Sequence, residues 1–190
     1  WQGELDTKFE HHPVHTFYQG STELEENLLG LKGIAGFYIV DTKDGLVMID
    51  SGSHLDIDSA YNEIKKWRPE ENVKAAIFTH HHVDHIFGTQ KFDEEAKKSN
   101  RKHPTVYSHE LLPDHLDRYK KTLGWNTAIN RRQFAINVPH FKWPEDYRYP
   151  DITYQEKTSF TLGDCTFELF HGRGETDDHT WVFVPERKIL

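Results

Sequence analysis

Short apolar bursts alternate with turn residues along most of this chain, and the bursts change period from two to nearly four and back. Residues 34–40 (I-A-G-F-Y-I-V) read as a strand, and residues 46–49 (L-V-M-I) as its return. Between them D-T-K-D-G supplies an Asp-Gly turn, so the pair predicts a β-hairpin that closes on Asp50-Ser51-Gly52. Ile57, Ala60, Tyr61, Ile64 and Trp67 then recur at helical spacing, with Asp56 or Asp58 as cap and Pro69 as stop. Residues 73–79 predict the next strand, and Ile86 with Phe87 the apolar start of a short helix. Residues 93–103 read as a solvated charged stretch, 105–108 as a short strand, and 110–123 as a helix despite Pro113. Near the C-terminus, residues 152–160 and 166–170 predict two strands around a turn at 162–165, with a further strand at 181–184 and a turn at 185–188. The first thirty residues are polar and mixed: Phe17 and Tyr18 suggest a short strand or anchor, and Leu24, Leu28 and Leu29 one helical turn. Strand, helix, strand in this order predicts an α/β architecture in a single domain.

The chemistry gathers where the 73–79 strand ends. There the chain reads T-H-H-H-V-D-H, residues 79–85. Neutral imidazole and carboxylate are ligands that zinc accepts. Side chains alternate along an extended chain, so His80 and His82 face one side and can grip one ion, while His81 faces the other. Asp84 and His85 lie past the strand end and can face a second ion. A loop at the end of a buried strand is a rigid mount for such residues.

Composition narrows the partners. The chain has 190 residues, 36% hydrophobic and 28% charged, with a formal net charge of −8. That balance argues against nucleic acid as the main partner. No run approaches the ~18 apolar residues of a membrane span. The chain opens W-Q-G-E-L-D without an initiator Met or apolar leader, which fits a processed periplasmic or secreted chain or a shortened one. A lone cysteine, Cys165, excludes an internal disulfide. Of the 14 histidines, His11, His12 and His15 read as ordinary surface or packing residues.

The pattern T-H-x-H-x-D-H resembles the signature of the metallo-β-lactamase superfamily, and the hairpin closing on I-D-S-G resembles its first motif. The resemblance implies an αββα sandwich with a one- or two-metal site at the edge of its sheets. It also implies that Asp50 supports the metal loop from behind. The third ligand region, H-G-R-G-E-T-D-D-H-T (171–180), resembles the loop that reads G-x-G-H-T-x-D-N in most of the superfamily. Here Glu175 stands at the histidine position, as in linear alkyl sulfatases. The implied first site is His80, His82 and Glu175, with His179 or His171 as alternative nitrogen donors. The second is built on Asp84 and His85. A-I-N-R-R (128–132) is similar to a run in the same branch, with Thr127 where that branch has Asn and with Ala135 and Asn137 at its aromatic positions; it offers Asn130 and Arg131 as anchors for an anionic group. The resemblance covers residues 34–190. It places the bridging carboxylate and the last histidine of the second site after Leu190, so only the N-terminal part of the sandwich is expected here.

Together these imply a hydrolase with two zinc ions, iron or manganese being alternatives, and Asp84 as the catalytic carboxylate. The implied substrate is a small anionic ester, above all a sulfate ester, with phosphoester, lactone or β-lactam as broader classes. An iron-binding redox protein of the same fold is the alternative from a different class. A homodimer, or association with the missing C-terminal part, is the implied route to a complete site.

Overall fold

The computed structural model describes residues 19–133 and 140–190. Phe17 and Tyr18, the three N-terminal histidines, Ala135 and Asn137 lie outside the described residues. Among the described residues, ten strands and three α-helices follow in chain order: β1 (Gly20–Glu25), β2 (Leu28–Lys32), β3 (Gly36–Thr42), β4 (Gly45–Ile49), α1 (Ile57–Trp67), β5 (Val73–Ile77), α2 (Thr89–Lys98), β6 (Thr105–His109), α3 (Leu112–Gln133), β7 (Ile152–Tyr154), β8 (Lys157–Leu162), β9 (Cys165–His171) and β10 (Thr180–Phe183). Strands β1 to β7 form one sheet in sequence order, antiparallel through β4 and parallel from β4 to β7. Strands β10, β9 and β8 form a second, antiparallel sheet.

Strand periodicity divides the core in two. Phe37, Ile39, Leu46, Met48, Ala76, Phe78 and Val106 face the helices, where Ile64, Phe92, Leu112 and Leu116 meet them. The intervening Val40, Val47, Ala75 and Ile77 face Phe167, Leu169 and Val182 of the second sheet and Val184 just past its last strand. Cys165 is fully buried in that seam, where Arg187 Nε approaches its Sγ at 3.4 Å. The layers are therefore helices, seven-stranded sheet, three-stranded sheet: three of the four layers of an αββα sandwich.

Several expected elements differ. Leu24, Leu28 and Leu29 belong to a β-hairpin rather than a helical turn; Asn27 takes the left-handed conformation (φ 67°) that lets β1 fold back on β2. Asp56 sits at the head of α1 without capping it, because its carboxylate accepts from Ser53 Oγ at 2.8 Å. Ile86 and Phe87 are buried in the turn before α2, which begins at Thr89 and takes in half of the supposed charged loop. Helix α3 reaches Gln133, kinked at Thr122, so the A-I-N-R-R run is helical. Pro113 is tolerated there because the first turn needs no amide donor. The expected 152–160 strand is two strands: the chain leaves the first sheet after Tyr154 and enters the second at Lys157.

Candidate metal centre

The candidate side chains hang from the carboxyl ends of β4 and β5 and from the β9–β10 loop. The open edge of a parallel sheet is where α/β proteins bind ligands. The I-D-S-G turn lies directly beneath the histidine loop. Asp50 N donates to Ile77 O (2.8 Å) and Ser51 N to His85 O (2.7 Å). Asp50 is held at φ 58° and its carboxylate takes three donors: Thr79 N at 2.7 Å, Thr79 Oγ1 at 2.8 Å and His85 Nδ1 at 2.7 Å.

Those bonds settle which imidazole nitrogens remain available. With its Nδ1–H on Asp50, His85 keeps Nε2 for an ion. Thr79 Oγ1, having donated to Asp50, accepts from His80 Nδ1 at 2.9 Å, so His80 also presents Nε2. His80 Nε2 stands 3.1 Å from His82 Nδ1 and 3.7 Å from Glu175 Oε2, and His82 Nδ1 is 3.1 Å from Glu175 Oε1. Tetrahedral zinc with bonds of roughly 2.0–2.1 Å holds its ligand atoms about 3.3–3.5 Å apart. The triangle His80, His82 and Glu175 fits that requirement. Asp84 Oδ2 lies 3.8 Å from His85 Nε2, two donors for a second ion.

Charge follows this layout. Burial, reinforced by the neighbouring His85 and His82, pushes His80 down to about 4, so its nitrogen is free of a competing proton at neutral pH. Burial also acts to lower His85, but Asp50, Asp84 and Glu175 outweigh it and raise it to about 9. His85 thus lies in a surplus of carboxylate that a divalent cation would neutralise.

The other candidates part company here. His179 is absent from the converging donors; its ring packs against Gly174 and its Nδ1 is buried without a partner. His171 Nε2 is bonded to Asp177 O at 2.8 Å and its ring stacks on His109, so it too stays out of the donor set. Asn130 lines a cleft of about 220 Å³ beside the ligands, together with Ile34, His82, Val83, Asp84, Tyr119, Gln133, Trp143 and Glu175. Arg131 is exposed and is not part of that wall, because the helix turns it away from Asn130. Tyr119 and Trp143 had no signal in the sequence: one sits on the buried side of α3, the other in an irregular segment. Burial pushes the Tyr119 phenol up to about 12, so it remains a hydrogen-bond donor. Trp143 Nε1 donates to Asn130 Oδ1 at 3.0 Å and fixes that amide.

Residues 34–190 match the metallo-beta-lactamase superfamily, and the chain belongs to it. It is 21% identical over 170 residues to a linear primary-alkylsulfatase of Pseudomonas sp. (strain ATCC 19151), covering 80% of this chain and 31% of that protein. Its structure is similar to the stereoselective inverting sec-alkylsulfatase Pisa1 from Pseudomonas sp. (TM-score 0.67, 20% identity, 88% of this chain and 30% of that one). It is also similar to the class B3 di-zinc metallo-beta-lactamase LRA-12 from an Alaskan soil metagenome (TM-score 0.63, 14% identity, 92% and 60%). The chain thus spans under a third of the alkylsulfatases it matches.

The role of Asp50 is open to direct test. Asp50→Asn keeps a residue suited to φ 58° but cannot hold His85 through an anionic bond. Loss of such a supporting carboxylate costs about 10–100-fold in metal affinity. Zinc titration of the metal-free variant should show that loss; wild-type affinity would make Asp50 a turn residue only.

Proposed function

We propose that this chain carries the greater part of the metal centre of a hydrolase acting on a small ester, with a sulfate ester as the first substrate class. The convergence of His80 Nε2, His82 Nδ1 and Glu175 within 3.1–3.7 Å supports the reading most directly. In it, His80, His82 and Glu175 hold one zinc ion, and Asp84 with His85 contribute to a second. Bound zinc supplies a Lewis acid and lowers the pKa of water in its shell. Asp84, on the cleft wall, orients the attacking water and takes up its proton. Asn130, held by Trp143, and the protonated Tyr119 present donors to the ester oxygens. Iron or manganese are the alternative ions, since carboxylate ligands suit harder metals.

The sulfate class rests on Glu175 and on likeness to alkylsulfatases. One observation favours a second reading, an uncharged ester or lactone: among the described residues the cleft wall includes no Lys or Arg. The remaining donors of the second ion would come from a second copy or from further parts of a longer protein.

Metal content by mass spectrometry comes first, then turnover of the zinc-loaded chain on alkyl sulfates, phenyl phosphate, a lactone and a β-lactam. Alkyl sulfate turnover supports the sulfatase reading, and preferential lactone turnover replaces it with the second. Bound iron with visible absorption and no hydrolysis would overturn both.

A further inference from the structure

His81 lies between two candidate ligands yet contributes to neither ion. Its ring is 4% exposed and turns to the opposite side of the loop. There its Nδ1–H donates to Asp178 Oδ1 at 2.8 Å, and its Nε2 accepts from Arg118 Nη2 at 3.2 Å. Asp178 is fully buried, accepts from Thr176 Oγ1 at 2.6 Å on the same oxygen, and leaves Oδ2 buried without a partner. His115 of α3 stacks on His81 at 4.1 Å and is bonded through Nε2 to Asp177 Oδ1 at 2.7 Å.

His81, His115 and Asp178 offer ligand atoms close enough to suggest a third metal site. The geometry opposes it. Two stacked rings, 24° apart in plane, send their lone pairs side by side rather than toward one point. The nitrogens are also engaged, one by a guanidinium that would repel a cation.

The link joins the two segments that carry ligands. His81 belongs to the loop of His80 and His82, hung from the first sheet; Asp178 is three residues past Glu175, in a loop of the second sheet. One backbone bond, Thr180 N to Thr79 O at 2.7 Å, ties the same segments at their base. The structure assigns His81 as a positioning residue: through Asp178 it sets the separation between the His80–His82 pair and Glu175, and so the affinity of the first ion. This rests on the metal centre proposed above.

Metal-free variants titrated with zinc against a chromogenic chelator decide the matter. His81→Ala and Asp178→Ala should each weaken the first ion by about 10–100-fold. The double variant should lose no more than the worse single, because both break one link. An Asn amide nitrogen falls near the position of Nδ1, and that of Gln near Nε2. His81→Asn should therefore stay close to wild type while His81→Gln falls with His81→Ala. If His81→Ala fails to fold, the Asn and Gln pair alone decides. Equal affinity in that pair, additive losses in the double variant, or loss of one zinc equivalent in His115→Ala would overturn the assignment. Failure of the hydrolase reading looks different: the zinc-loaded wild type would turn over no ester while the affinities still rank as stated.

Discussion

Replacing His82 with Ala should weaken zinc at the first site by about two orders of magnitude and suppress hydrolysis with it. The side chain is one corner of a three-donor triangle, 3.1 Å from both His80 Nε2 and Glu175 Oε1. Without it two donors remain, and one of them, Glu175, is 61% exposed. Zinc sites of four ligands bind with about 10–16 kcal/mol. An even share is roughly 3 kcal/mol per ligand, or about two orders of magnitude in affinity. The fold should be indifferent, since the His82 side chain is 35% exposed and packs into neither core. Equal melting curves for the metal-free variant and the metal-free wild type, with zinc lost from the variant on dialysis, are the expected pair of results. Unchanged turnover in the same variant would sink the mechanism.

The second large effect is on stability, and it comes from a residue with no chemistry. Gly88 follows the histidine loop, where the chain crosses over the I-D-S-G turn. Its amide donates to Ser51 Oγ at 3.0 Å, and a Cβ built there would lie 1.9 Å from Ser51 O. The obstacle is backbone, so no rotamer change relieves it. Gly88→Ala must push the turn and the ligand loop apart. Overpacking typically costs 1–3 kcal/mol, and a backbone clash of this depth belongs at or above about 3 kcal/mol. For a chain of this length that lowers Tm by ~6–12 °C. Gly124 in α3 is the control: a Cβ there meets nothing within 4 Å, so Gly124→Ala should stabilise by up to ~1 kcal/mol. Thermal melts of the two variants, moving in opposite directions, check both. A Gly88→Ala melt equal to wild type would mean that the turn and the loop are not locked together.

Local rules made the centre of this chain legible. The strand ends at Ile77, two residues earlier than expected, yet in the loop beyond it His80 and His82 still face one side and His81 the other, and an Asp-Gly turn returns β4 so that Asp50 arrives beneath them. What stayed hidden depends on tertiary neighbours. Leu24, Leu28 and Leu29 fit a helical turn as well as they fit two strands, and only pairing with β3 chooses between them. Nothing apolar or polar in residues 152–160 announces that the chain changes sheets at Gln155 and Glu156. Arg131 had the right chemistry and the wrong helical phase. Asp178 looked like one of several acidic loop residues; its importance comes from a histidine 97 positions earlier.

The burial of Cys165 gives the molecule a built-in clock. It is the chain's one thiol and lies, fully covered, between the two sheets. A maleimide or disulfide reagent can reach it only when those sheets part, so its labelling rate counts openings of the seam. Glu175 rides on one side of that seam and His80 with His82 on the other. An ion shared by all three is a rivet across it, and rivet and opening are two ends of one equilibrium. Sulfur chemistry at a site remote from catalysis thereby reads out whether the metal is in place, with no substrate needed.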